Sequence, residues 1–266
     1  MARVIRTSSL SEQRPHSLSF KRGFSLLELI VVMSITSLLA GLLLPALSVV
    51  REHANRALCG SNQRQLGQAL IMYGGSHNER LPIASTLDEF EPNPGELSKL
   101  RNAANIQSNY IANGRERRYI PEPLVDKSWD GLGRLYKWHY CGTPETFYCP
   151  SHEGEHTLDK CEELWKDDPS DKVLYSNYQY VGHKNWRSGK PISLLRVEKL
   201  ILVTDGMRTK SDYNHGVGHN ELRGDGSVAW EDDYEIRTQL AVLPPVDNAG
   251  LRSLDDLIYD LFFPAE

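Results

Sequence analysis

The sequence lacks two motifs by which common enzyme active sites are recognised. It has no Gly-x-Ser-x-Gly nucleophile elbow and no phosphate-binding glycine loop. Their absence excludes hydrolases built around such an elbow and nucleotide hydrolases built around such a loop. An enzyme is therefore the weakest of the functional classes that the sequence suggests.

Concentrated positive charge is also missing. The 266 residues carry 30 Lys and Arg against 35 Asp and Glu, which gives a formal net charge of -5. The densest basic cluster, Arg115, Arg117 and Arg118, is interrupted by Glu116 and is typical of a solvated loop. Because a phosphate backbone requires a concentrated basic face, we expect no nucleic-acid partner.

Cysteine is scarce, with four residues: Cys59, Cys141, Cys149 and Cys161. Four cysteines permit three complete pairings, and the sequence does not choose among them. Cys141 and Cys149 flank the turn-like stretch Gly142-Thr143-Pro144. The sequence therefore favours a Cys141–Cys149 disulfide, provided that this part of the chain lies in an oxidising compartment.

Zinc is the competing explanation for two of these cysteines. The spacing Cys149-x2-His152-x3-His156-x4-Cys161 contains ligand types that zinc accepts. It lacks the closely spaced cysteine pair of the common zinc modules, so a disulfide with surface histidines is the preferred interpretation.

Charge disappears almost completely between Phe24 and Val50. Glu28 is the one charged residue there, and the 22 residues from Leu29 onward have none. That length crosses a hydrocarbon core of ~30 Å as a helix. Five basic residues and one acid precede Phe24, whereas 25 basic and 34 acidic residues follow. This asymmetry predicts a single-pass inner-membrane segment with a cytoplasmic N-terminus and a periplasmic or extracellular C-terminal domain.

The basic residues and Gly23 directly precede this apolar run, which is longer than the core of a secretory signal peptide. The stretch 21–33, KRGFSLLELIVVM, resembles the prepilin cleavage and methylation motif of type IV pilins and type II secretion pseudopilins. The resemblance implies a leader, 1–23, removed after Gly23 by a prepilin peptidase. It also implies that Phe24 becomes the N-methylated first residue. Pro45 matches a position at which many pilins have a helix-loosening proline.

Glu28 stands out because a carboxylate within a bilayer costs ~2.5 to 3.5 kcal/mol or more. The N-terminal amine of a neighbouring subunit, created by cleavage, is the partner we expect in a filament. Solvation of Glu28 at the headgroup boundary is the alternative.

A helical pattern continues beyond the membrane segment. Val50, Ala54, Leu58, Leu66 and Leu70 recur at helical spacing, and Gly74-Gly75 is a stop signal. One helix is therefore predicted from about residue 24 to 73, apolar in its first half and amphipathic in its second. The stretches 56–73, 129–136 and 147–151 resemble a group of pseudopilin-like proteins abundant in planctomycetes and their relatives.

The exported part contains strand and turn signals. Strands are predicted at 172–181 and 200–204, with a hairpin over 220–230 that turns at Gly224-Asp225-Gly226. Short helices are predicted at 96–110 and after Ser253. These signals predict an α+β fold class, with the amphipathic half of the long helix covering an antiparallel β-sheet, and the resemblance to pilins implies that the fold is pilin-like.

His215 and Asp225-Gly226 match the His-x9-Asp-Gly signature of the same pseudopilin-like group. One interpretation brings Asp205, His215 and Asp225 together around a divalent cation, with calcium as the possible cofactor. The preferred interpretation is a hydrogen-bonded His215–Asp225 pair that fixes the hairpin without a ligand.

These features predict three segments: the leader 1–23, a transmembrane and filament-forming helix half 24–50, and an exported domain 51–266. The predicted function is a non-catalytic subunit of a type II secretion or type IV pilus-like filament. Its expected partners are the prepilin peptidase, other pilin or pseudopilin subunits and the inner membrane. The alternative is an exported ligand- or metal-binding module that uses the pilin-type segment only as an anchor.

Overall fold

The structure is a computed structural model that describes residues 24–84, 97–101, 129–166, 172–209, 211–232, 234, 238 and 258–263. The predicted leader, including Gly23, and the predicted Ser253 helix start lie outside these residues. The chain divides into two compact units, residues 1–48 and 49–266.

One long helix, α1, runs from Leu26 to Ser76 and confirms the predicted long N-terminal helix. Pro45 lies inside it without ending it. The helix ends just beyond the predicted glycine stop, where the amide of Glu79 donates to the carbonyl of Gly74 at 2.8 Å. Asn78 and Glu79 have positive φ values of 53° and 63°, so the chain leaves the helix through left-handed residues.

The first half of α1 exposes its apolar side chains. Leu26, Leu38 and Leu42 are 67% to 74% exposed, and no residue of the most apolar stretch is buried. By length and composition this is a candidate membrane span.

The second half of α1 buries one face, as predicted: Leu66 and Leu70 lie on it, but Leu58 does not. Leu58 is 56% exposed, whereas the adjacent Cys59 and the polar Gln63 are fully buried. The buried stripe continues through Leu66, Gly67, Ala69, Leu70, Tyr73 and Gly74. The apolar pattern missed the buried positions Cys59 and Gln63, because their side chains are polar and form hydrogen bonds within the domain.

Four antiparallel strands form the main sheet: β3 (Tyr178–Tyr180), β4 (Ile201–Asp205), β5 (His219–Arg223) and β6 (Val228–Glu231), in that order. Tyr180 pairs with Val203, Val203 with Leu222, and Leu222 with Val228. The predicted strand at 200–204 and the predicted hairpin are confirmed. Gly226 has a φ of 83°, which the turn between β5 and β6 requires of a glycine.

A second, two-stranded sheet corrects two predictions. The strand predicted at 172–181 is broken into β2 (Leu174–Tyr175) and β3. Lys99–Arg101 forms β1, antiparallel to β2, although a helix was predicted from residue 96. A pairing with residues far along the chain overrides the local helical preference there. Most of the predicted helix lies outside the described residues.

The amphipathic half of α1 packs closely on β5. A Cβ built on Gly67 would lie 2.8 Å from Cδ1 of Leu222, so the glycine permits the approach. Short helices α2 (Gly133–Lys137) and α3 (Leu158–Cys161) and a terminal helix over 258–262 complete the described domain. This α+β architecture is consistent with a pilin-like fold.

Candidate functional site

The N-terminal end of α1 carries the residues of the predicted processing and assembly motif. Phe24 is 85% exposed. The backbone amide of Ser25 donates to Oε2 of Glu28 at 2.9 Å, and the amide of Leu29 donates to the carbonyl of Ser25 at 3.2 Å. Ser25 and Glu28 therefore occupy the N-cap and third positions of a Ser-x-x-Glu capping arrangement. The sequence interpretation had missed this local function of Glu28.

A second group of polar side chains is buried in the unit from residue 49 onward. Cys59, Cys149, Asp205 and His215 each offer one ligand atom, and these atoms lie within 4.8 Å of one another. The four residues, which we term the Cys-Cys-His-Asp cluster, are between 0% and 7% exposed. Among the described residues they form the one group of three or more His, Cys, Asp and Glu side chains placed to hold a metal ion.

Each member of the cluster comes from a different part of the fold. Cys59 lies on the buried face of α1, and Asp205 is the last residue of β4. His215 lies in the loop between β4 and β5. Cys149 follows the 3-10 turn Pro144–Phe147, where its amide donates to Oδ1 of Asn177 at 2.6 Å and its carbonyl accepts from Nδ2 of Asn177 at 3.3 Å.

The reactive atoms of the cluster converge on one another. Sγ of Cys59 lies 2.6 Å from Oδ1 of Asp205. Nε2 of His215 lies 3.3 Å from Sγ of Cys149 and 3.3 Å from Oδ2 of Asp205. Thus a single imidazole nitrogen faces a thiol and a carboxylate at the same distance.

Surrounding groups orient Asp205 and Cys59. The carboxylate of Asp205 accepts from Nε2 of Gln63 at 3.1 Å, from the amide of Asn220 at 2.6 Å and from Nδ2 of Asn220 at 3.0 Å. The hydroxyl of Tyr178 lies 3.4 Å from Sγ of Cys59. Asp205 and Cys59 therefore each contact polar groups outside the cluster.

Glu52 orients the histidine. Its Oε1 lies 2.7 Å from Nδ1 of His215. The same carboxylate accepts from Oγ of Ser151 at 2.7 Å and from Nε of Arg56 at 3.1 Å. These contacts fix the imidazole ring with Nε2 directed at the other three members of the cluster.

The protonation states follow from burial and from these contacts. Burial lowers the pKa of His215, but the hydrogen bonds to Asp205 and Cys59 outweigh it and raise that pKa to about 10. Burial raises the pKa of Asp205, whereas His215, Cys59 and the amide of Asn220 bring it below the usual value. Burial raises the pKa of Cys59 and Cys149. The cluster alone is therefore an imidazolium–carboxylate pair beside two neutral thiols.

The structure brings together two of the three residues predicted to converge on a cation. Asp205 and His215 meet, but Asp225 is exposed at the hairpin turn, where its Oδ1 accepts from the amide of Ser227 at 2.8 Å. The preferred His215–Asp225 pair is wrong, because the two nitrogens of His215 face Glu52 and the cluster. Of the two predicted neighbours of His215, Asp205 contacts it and Asp225 does not.

The cysteines also differ from the prediction. All four are free thiols, so the predicted Cys141–Cys149 disulfide is not formed. Cys149 instead faces Cys59 and His215, because its loop is held by Asn177. Cys141 and Cys161 are buried outside the cluster. The short spacing between Cys141 and Cys149 was misleading, because Cys149 lies in the cluster and Cys141 does not.

His152 and His156 do not join the cluster. With Glu153 between them they carry the His-Glu-x-x-His spacing of zinc proteases, but that motif needs a helix, and these residues lie outside the helices. Nδ1 of His152 contacts Oδ1 of Asn214 at 2.7 Å, and the ring of His156 packs on Tyr175. The alternative zinc set Cys149, His152, His156 and Cys161 is therefore not assembled.

Comparison with known families identifies the N-terminal segment. Residues 18–44 match the prokaryotic N-terminal methylation motif. Comparison of the chain with curated proteins and with solved structures gives no significant match. The matched segment contains Gly23, Phe24 and Glu28, so the beginning of α1 and the residues before it carry a prepilin-type motif.

Proposed function

We propose that this chain is a non-catalytic pilin- or pseudopilin-like subunit of a type II secretion or type IV pilus-like filament. The observation that carries the proposal is the match of residues 18–44 to the N-terminal methylation motif at the start of an exposed apolar helix. A prepilin peptidase removes the leader 1–23 and methylates Phe24.

The positive flank before Phe24 and the acidic body after it support the orientation of the protein. The leader stays in the cytoplasm, the first half of α1 crosses the inner membrane, and the domain is exported. The apolar side chains of residues 26–48 need cover, because a soluble monomer does not expose so large a continuous apolar surface. Lipid supplies that cover before assembly, and the helices of neighbouring subunits supply it in a filament.

Glu28 has two functions in this proposal. Within its own chain it caps α1 through the amide of Ser25. Between 24 and 50 it is the one charged side chain, so a cationic partner must come from outside this helix half. The methylated amine of a neighbouring Phe24 meets that requirement and sets the axial register of one subunit against the next.

Crosslinking in cells tests assembly. Leu29, Leu38 and Leu47 are more than half exposed, so a single cysteine at each position can be oxidised to link adjacent helices. We expect crosslinks to other subunits at these sites. Glu28→Gln should reduce crosslinking about tenfold, because glutamine retains the cap but loses the charge. Ser34→Ala, which removes a neutral polar group, is the control.

One observation favours a second function. The Cys-Cys-His-Asp cluster gives the exported domain a candidate metal site, which an anchored metal-binding module would use without polymerising. Equal crosslinking in the wild type and Glu28→Gln, or no crosslinks at any of the three positions, would contradict the filament proposal and favour this anchor.

A further inference from the structure

We propose that Cys59, Cys149, Asp205 and His215 bind one zinc ion in a closed, four-ligand structural site. The inference depends only on the fold of the exported domain and stands whether the protein polymerises or remains an anchor. It replaces the predicted calcium set, since two of the four groups are sulfurs, which calcium does not favour.

The first argument is geometric. A tetrahedral zinc ion with bonds of ~2.0 to 2.3 Å separates its ligand atoms by roughly 3.3 to 3.8 Å. Nε2 of His215 lies 3.3 Å from both Sγ of Cys149 and Oδ2 of Asp205. The 2.6 Å between Cys59 and Asp205 is shorter, so one of these side chains must move outward when the ion enters.

The second argument is the surroundings of the four groups. Histidines that bind zinc commonly donate a hydrogen bond from their other ring nitrogen to a carboxylate. In this domain Nδ1 of His215 lies 2.7 Å from Oε1 of Glu52. Gln63 and Asn220 donate to Asp205, and Tyr178 is within reach of Cys59. Each proposed ligand except Cys149 thus has a side-chain partner outside the cluster, and the loop of Cys149 is fixed through its backbone by Asn177.

The third argument is the number of acceptors that share one donor. Nε2 of His215 carries one proton at most, yet it faces a thiol and a carboxylate equally. A zinc ion placed among the four ligand atoms would be coordinated by all of them at once. Its binding displaces two thiol protons and the Nε2 proton of the imidazolium, while Asp205 is already a carboxylate.

A closed set of four protein ligands leaves no position for substrate, which is typical of a structural ion. The site joins the buried face of α1 to the end of β4 and to the loops that contain Cys149 and His215. Zinc would therefore fix the exported half of α1 against the sheet. This role agrees with a non-catalytic subunit.

The test uses the full-length chain, purified in detergent without chelators or added metal, with metals measured by mass spectrometry. We expect about one zinc per chain. Replacement of zinc by cobalt should give the visible absorption of tetrahedral cobalt and a near-ultraviolet thiolate-to-cobalt band. Cys149→Ser should abolish both signals, whereas Cys141→Ser and Cys161→Ser should preserve them, because those cysteines lie outside the cluster.

Glu52→Gln separates a metal site from a merely buried network. It leaves all four ligands in place but removes the carboxylate charge that faces Nδ1 of His215. We therefore expect zinc to bind about 10- to 100-fold more weakly. Alkylation of the denatured wild-type chain shows which cysteines are reduced. This readout does not depend on how the variants fold.

Two results would overturn the proposal. One is a Cys59–Cys149 disulfide in metal-free protein isolated from cells, found by mapping of unreduced peptides. The other is a reduced, metal-free wild-type chain that takes up neither zinc nor cobalt and shows no thiolate-to-cobalt band.

Discussion

Glu28 caps its own helix in the structure, and we propose a second function for it in assembly. Its carboxylate returns to the amide of Ser25 and stabilises the start of α1. The same carboxylate stands at the end of an apolar helix half without another charge. The Ser-x-x-Glu spacing could have been identified from the sequence, but the membrane context drew the interpretation towards an intermolecular partner.

The residues of the Cys-Cys-His-Asp cluster were only partly predictable. Asp205 and His215 could be selected because the Asp-Gly after a buried strand and the His-x9-Asp-Gly signature are local patterns. Cys59 and Asp205 meet although they are 146 residues apart in the chain. The spacing of residues in the sequence cannot predict such a contact, because the contact depends on how α1 packs on the sheet.

His156 provides a pH-dependent prediction at the scale of one residue. Burial and then Arg208 lower its pKa to about 4, below the ~6.5 of an unfolded histidine. Between these values the unfolded chain binds the proton more readily, so stability should fall as the pH falls from about 6.5 to about 4.

His156→Phe keeps a ring on Tyr175 and removes the titration. We expect the unfolding free energy of this variant to fall less steeply as the pH falls. The difference in slope from the wild type should correspond to less than one bound proton. Denaturant titrations at several pH values measure the unfolding free energy of the wild type and of the variant. Titrating groups that both proteins share cancel in the difference between the two. Parallel pH profiles would contradict the assignment.

At the scale of elements, the best-predicted parts were those encoded locally. A continuous apolar run followed by helical periodicity specified α1, and Gly-Asp-Gly between short strand patterns specified the β5–β6 hairpin. β1 was not predictable because its strand conformation depends on pairing with β2, far along the chain. The predicted buried face of the amphipathic half was wrong around Cys59 and Gln63, because these polar residues occupy buried positions where the pattern requires apolar ones.

The contact between α1 and β5 can be tested with two glycines of the same helix. Gly67→Ala places a methyl group 2.8 Å from the buried Leu222, and such overpacking costs about 1 to 3 kcal/mol. Gly75 has open space around its Cβ position, so Gly75→Ala should gain up to about 1 kcal/mol of helix propensity.

We therefore expect the unfolding free energy to fall by about 1 kcal/mol in Gly67→Ala, after the propensity gain is included, and to hold or rise in Gly75→Ala. Chemical denaturation of the full-length chain in detergent gives both values. Equal stabilisation by the two substitutions would show that α1 does not pack on β5 at Gly67.

At the scale of the whole molecule, two units have unlike surfaces. The N-terminal unit presents apolar side chains, whereas the unit from residue 49 onward has its own core and sheet. The composition predicts a change of character near residue 50, because charge is almost absent before it and returns after it. The function that we propose for the apolar unit rests on the methylation motif and not on the fold of the domain.

The mass of the mature N-terminal peptide tests the central claim most directly. The chain is produced with a prepilin peptidase, purified from membranes and analysed by mass spectrometry, with Gly23→Val as the uncleaved control. A peptide that begins at N-methylated Phe24 in the wild type and an intact leader in the variant is the predicted result. A wild-type chain that retains Met1, or that is cut after Ala46, would contradict the assignment to prepilin-type subunits.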